Sequence, residues 1–248
     1  GDNPQANVVN LVNGSPAQGT AVDAINAIQQ LTVDATGGTF SLSYAPQPLH
    51  LSGIPGAGSG SMAAGTYYYE VTAMVPGETL PSPETFVTVG AGGSAVLSWY
   101  PVPFATGYKV YRSTASGAEQ LLASWSGTTY TDTAAATGSG APPAVGVVET
   151  LSGLSPSITA SSLASQLGGL ALIGGVSVTQ AGGIYTITFD GTHVAGTAIP
   201  LLLTDPTQLT NGAGVNDTLN ISDSASSAND TGLLTSTSLT GLDMGSPN

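Results

Sequence analysis

The side chains that could carry acid–base chemistry are few and widely separated. His50 and His193 are the only histidines, and the chain has no cysteine. Asp190 stands three residues before His193, so a Ser–His–Asp triad can be drawn with any of the many serines. Because serine is so frequent here, that match has little value, and His193 is interpreted as a turn residue. We predict no catalytic residue and no enzyme.

The acidic residues do not form a recognisable glycosidase pair or calcium loop. Three glutamates surround one predicted strand–loop–strand and are interpreted as solvated: Glu70, Glu78 and Glu84. Oxygen ligands suit Ca²⁺, but the spacing of the EF-hand loop is absent from the acidic run in the polar tail region: Asp217, Asp223 and Asp230. The Gly-rich runs also lack the GK[ST] of a phosphate-binding loop. We therefore predict no metal site and no cofactor, and a bound Ca²⁺ stays open.

The charge balance argues against anionic partners. Lys109 and Arg112 are the only basic residues against fifteen acids, which gives a net charge of −13. Nucleic-acid affinity depends on Lys and Arg that neutralise phosphates, so a nucleic-acid partner is not expected. Anionic membranes are disfavoured for the same reason. No run approaches the ~20 apolar residues of a membrane-spanning helix.

Four Asn-x-Ser/Thr sequons are present, at Asn13, Asn216, Asn220 and Asn229. Such matches also arise by chance in a sequence rich in Asn, Ser and Thr. In an exported protein, glycans at these positions would cover a surface that has little charge. An intact mass above the 24.4 kDa of the chain would demonstrate glycosylation.

A short apolar run near the N-terminus contains Val8, Val9, Leu11 and Val12. It is interpreted either as an edge strand of the first domain or as an assembly strand that completes the sheet of a neighbouring copy. Strand addition to an exposed sheet edge is a recurrent mode of association.

Composition indicates a folded protein with an unusual surface. Apolar residues make up 41% of the chain, whereas charged residues make up 7%, compared with roughly 25% in an ordinary soluble domain. The surface must then be rich in Ser, Thr, Asn and backbone. This composition, the absence of cysteine and a first residue that is not Met indicate a processed protein in an extracellular or cell-surface setting.

Periodicity predicts several strands and one short helix. Residues 39–44 alternate strictly between apolar and polar, and with residues 30–33 they make a hairpin candidate. Residues 20–30 have helical spacing but could equally run into the strand at 30–33. The best helix covers 159–167, with Thr159 or Ser157 as its N-cap and glycines at its end. A second hairpin is predicted at 176–189, and short strands at 199–203 and 219–222.

Two Gly/Pro-rich segments bracket the centre of the chain. Residues 51–64 and 138–143 are interpreted as linkers around a separate module. Residues 223–248 form a polar tail with widely spaced apolar residues, for which we predict little order when the chain is isolated.

The central stretch carries several strand patterns: YYYEVTA at 67–73, Trp99, GYKVYR at 107–112 and TTYTDT at 128–133. In these patterns it resembles fibronectin type III modules. In that family the Trp strand and the GYKVYR-like strand precede the YYYxVTA-like strand, whereas here the YYYEVTA strand comes first. The resemblance therefore implies a circularly permuted module over residues 51–143.

The flanking segments resemble the β-hairpin, helix, β-hairpin repeats of bacterial surface proteins and of tailed-phage virion proteins. The segments that carry the resemblance are GGTFSLSY, SITASSLASQLGGL and the run from GGVSV to LLLTD. We therefore expect a mainly β protein in which a fibronectin/Ig-like β-sandwich is inserted into a second β-rich domain, at 1–50 and 144–222, with one short helix.

The leading hypothesis for function is a structural subunit of an extracellular filament or surface layer that binds copies of itself. A tailed-phage virion protein, either capsid decoration or tail, is the alternative. A third interpretation is a carbohydrate-binding module that uses exposed aromatic residues, for which Trp125 and Tyr100 are candidates; packing in the core is the competing role for both.

Overall fold

The computed structural model describes residues 26–56 and 60–210, and the backbone of residues 11–14, 233–234 and 239–240. It confirms a mainly β protein with several antiparallel sheets. The chain forms two compact units. One unit is Ala45–Val148, and the other consists of the described residues before and after it. The boundaries predicted from the sequence are residues 51 and 143.

The secondary-structure elements are numbered in chain order. They are β1 (Leu11–Gly14), β2 (Ile28–Thr32), β3 (Gly37–Gly38), β4 (Phe40–Tyr44), β5 (Ser52–Gly56), β6 (Gly65–Met74), β7 (Thr85–Val89), β8 (Ser94–Ser98), β9 (Gly107–Ser113), β10 (Gln120–Trp125), β11 (Thr129–Asp132), β12 (Glu149–Leu154), α1 (Ala160–Gly168), β13 (Ser177–Ala181), β14 (Ile184–Thr188), β15 (Leu203–Asp205), β16 (Leu209–Thr210), β17 (Leu233–Leu234) and β18 (Leu239–Thr240).

The unit Ala45–Val148 is built from two antiparallel sheets, in the orders β10-β9-β6-β7 and β11-β8-β5. Alternate residues of β6 are fully buried, namely Tyr69, Val71 and Ala73. Trp99 follows β8 and packs edge-on against Tyr108 of β9, with ring centroids 5.4 Å apart. The inward-facing residues of these strands thus place one apolar face of each sheet in the core, and Thr72 of β6 is buried as well.

Strand β5 corrects the prediction that residues 51–64 form a linker. It pairs along its whole length with β8, although it is rich in glycine and proline. A Cβ on Gly53 would lie 2.4 Å from Cγ2 of Val87, so only glycine fits beneath that side chain. Pro55 is tolerated because β5 lies at the edge of its sheet. Composition predicted a loop where tight packing requires small residues in a strand.

The second unit contains a four-stranded sheet, β1-β2-β14-β13, and a three-stranded sheet, β12-β4-β15. The hairpin predicted at 176–189 is confirmed as β13 and β14, which pair around a turn at Gly182. The hairpin predicted between 30–33 and 39–44 is wrong, because β2 pairs with β1 and β14 whereas β4 pairs with β12 and β15. The intervening β3 pairs instead with β16.

Strands β4 and β12 hold the two ends of the inserted unit together. Tyr44 is the last residue of β4, Glu149 is the first residue of β12, and the two are partners in the antiparallel ladder. The whole unit Ala45–Val148 therefore replaces the turn of a β-hairpin.

The helix α1 confirms the prediction at 159–167. Thr159 is the N-cap, and its side chain accepts a hydrogen bond from the N–H of Ser162 at 3.2 Å. Leu163 and Leu167 are fully buried beneath the helix. Ser157, the other candidate cap, bonds with Ser155 instead.

Three further sequence predictions can be compared with the structure. Residues 28–30 lie in β2, so helix is wrong at that end of 20–30, and 20–25 lie outside the described residues. Residues 199–202 are not a strand, although Ile199 and Leu202 are buried as expected; β15 begins at Leu203. The strand predicted at 219–222 lies outside the described residues. Within the tail, β17 pairs with β18.

Candidate functional site

The N-terminal strand β1 lies at one edge of the four-stranded sheet and pairs antiparallel with β2. Its Leu11 is the register partner of Leu31, which is fully buried, and its Val12 is the partner of the exposed Gln30. Val8 and Val9, the other two residues predicted for the assembly strand, lie outside the described residues. The structure thus places Leu11 and Val12 as an edge strand beside a core strand.

The strand beside β1, β2, contributes buried residues to its unit, among them Leu31. Its Gln29 is fully buried and uses its amide to fix a loop: Nε2 donates to the carbonyl of Pro200 at 3.0 Å, and Oε1 accepts from the N–H of Leu202 at 3.1 Å. The other edge of the same sheet is β13, whose residues are mostly exposed and carry no charge. Both edges of this sheet therefore lack the Lys residues that usually protect exposed strands.

Of the four sequons, the structure places one. Asn13 lies within β1, where it is the register partner of Gln29. Asn216, Asn220 and Asn229 lie outside the described residues, as do Asp217, Asp223 and Asp230.

The Ala45–Val148 unit contains a buried ion pair that the sequence analysis did not identify. The Asp132 side chain is fully buried, and its carboxylate accepts two hydrogen bonds from Arg112 Nη1, at 2.7 and 2.9 Å. It also accepts hydrogen bonds from the Tyr69 hydroxyl and from the Ala134 N–H, each at 2.9 Å. The Arg112 guanidinium also lies 5.7 Å from the centroid of the Tyr67 ring. Burial, followed by the Asp132 carboxylate, raises the pKa of Tyr69 far above its ordinary value. The arrangement joins β6, β9 and β11 across the two sheets.

The second base, Lys109, is paired with Glu78 on the outer side of the same unit. Glu78 also accepts hydrogen bonds from the hydroxyls of Thr72 and Tyr111. Burial acts to raise the pKa of Glu78, but these donors and the Lys109 charge lower it overall. Both basic side chains of the protein are thus paired with carboxylates.

Three further carboxyl groups influence one another near the turn between β9 and β10. Glu119 is 3% exposed, and its Oε1 has no hydrogen-bond partner among the described residues. Burial, and then the neighbouring Glu84 carboxyl group, raise the pKa of Glu119. Burial and the charges of Glu119 and Glu84 raise the pKa of Glu70 to about 6. Glu84 is exposed, as predicted, whereas Glu70 and Glu78 are partly buried.

The two aromatic candidates for carbohydrate binding lie in different surroundings. Tyr100 is 37% exposed and packs on the ring of His50, with centroids 4.4 Å apart. Trp125 is 44% exposed and lines a cleft of about 510 Å³ at the end of the sheet where β6 and β10 finish and β9 begins. The cleft is lined by Met74, Thr106, Gly107, Tyr108, Lys109, Ser124, Trp125 and Ser126. Trp125 is therefore a surface residue at a shallow, open cleft.

The histidines occupy a loop and a turn. His50 has a φ of 56° and stacks on Tyr100, whereas His193 lies in the turn region 191–197. The Asp190 carboxylate accepts a hydrogen bond from the Ser177 hydroxyl at the start of β13. Across the described residues, no three His, Asp or Glu side chains are grouped so that they could hold a metal ion.

In the part of the chain that the structure describes, no helix is long and apolar enough to cross a lipid bilayer. Comparison of the chain with protein-family models, with curated proteins and with solved structures finds no match.

Proposed function

We propose that this protein is a non-enzymatic structural subunit of an extracellular filament or surface layer, and that its copies associate by exchange of the N-terminal strand. The observation that carries the proposal is the position of β1. Among the residues that the structure describes, it occupies one edge of a four-stranded sheet and pairs with β2 alone. The place that β1 fills is therefore a slot that the same strand of another copy can fill with the same register.

The connection between β1 and β2 supports exchange. Gly14 and Ile28 are partners in the ladder, yet residues 15–27 separate them. Antiparallel neighbours joined within one subunit usually use loops of about 2–5 residues. A connection of this length is not a tight hairpin turn, so turn geometry does not fix which copy supplies the strand.

The distribution of charge also favours self-association. The chain's two basic residues lie in the Ala45–Val148 unit, so the other unit has no Lys or Arg with which to protect a sheet edge. The exposed edge strand β13, at the opposite side of the sheet from β1, is uncharged. Uncharged edges allow identical copies to approach without local repulsion.

We also infer that the Ala45–Val148 unit is a circularly permuted fibronectin type III-like module that the subunit presents. The pairing of β6, which carries YYYEVTA, with β9, which carries GYKVYR, supports this inference. In the permuted order these two strands are neighbours in one sheet although β7 and β8 separate them along the chain.

A disulfide trap tests strand exchange directly, because the natural chain has no cysteine. In the double variant Leu11→Cys/Leu31→Cys the two thiols are register partners and should bond on mild oxidation. Exchange predicts covalent dimers and longer ladders on a non-reducing gel of assembled protein. A crosslink found solely within single chains in assembled material would overturn the exchange mechanism.

Two controls accompany the trap. Leu11→Cys/Thr32→Cys is shifted by one residue and should form far fewer crosslinks, because adjacent residues of a strand face opposite sides of the sheet. We expect the wild-type protein to form particles visible by electron microscopy, and removal of residues 1–14 should abolish them. Restoration of those particles by an added peptide of residues 5–15 is not expected, since a free peptide fills the slot without linking subunits.

A further inference from the structure

We propose that the cleft at Trp125 binds a neutral oligosaccharide built from hexopyranose units. This inference is independent of the proposed assembly, because the cleft lies in the Ala45–Val148 unit and β1 does not. Its volume of about 510 Å³ is within the range of roughly 300–1,000 Å³ found for small-molecule sites.

The indole of Trp125 is held in a fixed position while nearly half of its surface stays exposed. Tyr130 of β11 packs against it edge-on, with centroids 5.3 Å apart and planes at 77°. A Cβ on Gly127 would lie 3.1 Å from the indole Nε1, so the glycine leaves room for the ring. An exposed aromatic ring that is already fixed loses little entropy on binding, and it suits the C–H face of a pyranose ring.

Polar residues line the cleft beside this ring. Ser124 and Ser126, the chain neighbours of Trp125, are exposed and line the cleft. Thr106 donates its hydroxyl to the Met74 carbonyl at 3.0 Å and keeps its lone pairs available as acceptors. A fixed apolar surface with hydroxyl donors and acceptors at its rim matches a sugar, which has an apolar ring face and hydroxyls at its edge.

The charges around the cleft select for a neutral ligand. The one cation in its wall is Lys109, whose ammonium is paired with Glu78. Binding an acidic sugar would require this pair to be broken inside a chain with a net charge of −13. A neutral oligosaccharide leaves the pair intact.

Tryptophan fluorescence provides the test, because Trp99 is 3% exposed and Trp125 supplies the accessible signal. The probes are neutral hexasaccharides of glucose (α-1,4 and β-1,4), galactose, mannose and N-acetylglucosamine. We expect at least one to bind saturably in calorimetry and to protect Trp125 from acrylamide quenching. Absence of saturable binding to all of them up to about 10 mM would overturn the proposal.

Variants assign the binding to the cleft. Trp125→Ala should weaken binding about tenfold or more, and Trp125→Phe should weaken it less. Tyr100→Ala is the matched control, because Tyr100 is an exposed aromatic residue of the same unit that does not line the cleft.

Equal affinity in Trp125→Ala and wild type would overturn the proposal. Quenching protection in the wild-type protein tests it even if Trp125→Ala does not fold. None of these changes touches β1, so assembly measured in parallel tests the proposed function separately.

Discussion

At the scale of single residues, the two basic side chains have unequal structural roles. Arg112 pairs with a carboxylate that is fully buried, whereas the side chains of Lys109 and Glu78 are 29% and 18% exposed. A buried ion pair contributes little net stability as a pair, but loss of one partner leaves an uncompensated charge in the core. The unit therefore depends far more on Arg112 than on Lys109.

This difference gives a stability prediction. Arg112→Met should lower the free energy of unfolding by about 3–5 kcal/mol, because Asp132 would keep its charge without the guanidinium. The matched variant Lys109→Met should cost about 1 kcal/mol or less, since water can solvate Glu78. Denaturant unfolding of both variants measures the difference. Equal losses would contradict the assignment of Asp132 as the buried partner.

Glu70 gives a prediction for pH dependence. Burial and the nearby Glu119 and Glu84 carboxylates raise its pKa from 4.5 to about 6, so the folded state favours the protonated form. The stability that Glu70 contributes is complete below about pH 4.5 and is lost as the pH rises through about 6. Glu70→Gln should therefore be more stable than wild type near pH 8, and the two should converge near pH 4.

The control for Glu70 is a neighbouring carboxylate with the opposite shift. Burial acts to raise the pKa of Glu84, but the N–H of Gly117 and the hydroxyl of Ser116 lower it overall. Glu84→Gln should remove stability at neutral pH and have less effect in acid. Thermal unfolding across the pH range measures the stability of both variants. If the two substitutions change stability at neutral pH in the same direction, the pKa shifts are assigned incorrectly.

The burial and the contacts of individual residues were mostly not predictable from the sequence. Glu119 stands in a short turn with no pattern around it, yet it is buried; Asp132 was seen only as part of a strand signature. Burial of a charged residue depends on which other strands cover it, and periodicity along one strand does not report that. Trp125 was a candidate by residue type alone, and the cleft around it was not predicted.

At the scale of elements, the cap of α1 can be tested against its own alternative. Thr159→Ala should lower the free energy of unfolding by about 1 kcal/mol, because the N–H of Ser162 loses its acceptor. Ser157→Ala removes a hydroxyl that bonds only with exposed Ser155 and should have almost no effect. Thermal unfolding of the two variants distinguishes them. A larger loss in Ser157→Ala would mean that the helix begins earlier.

Elements with local signals were predicted well. The helix at 159–167 has a cap, an apolar stripe and a terminal glycine, and the hairpin of β13 and β14 has a glycine turn between alternating strands. Partners distant in sequence were not predicted. Only the two-residue β3 separates β2 from β4 along the chain, and both have suitable patterns. Each pairs elsewhere because contacts with β14 and β12 decide the pairing. β5 was missed because its glycines serve packing and not a turn.

At the scale of the whole molecule, the two units should fold separately. The Ala45–Val148 unit contains its own buried core and its own buried ion pair. A fragment of residues 45–148 should unfold cooperatively, with the emission of buried Trp99 in the folded state. Arg112→Met should destabilise this fragment as much as it destabilises the full chain. A fragment without a cooperative transition in denaturant would contradict this independence.

The ladder partners Tyr44 and Glu149 also make the second unit a possible acceptor for other inserted domains. Paired residues in antiparallel strands have Cα atoms about 5 Å apart, so any guest domain whose ends meet at that spacing can be grafted between them. The register of β4 and β12 would be unchanged by such a replacement, because the inserted domain is joined only to the paired residues Tyr44 and Glu149. In the polymer that we propose, each graft would recur once per copy, which would give a regular display of the grafted domain.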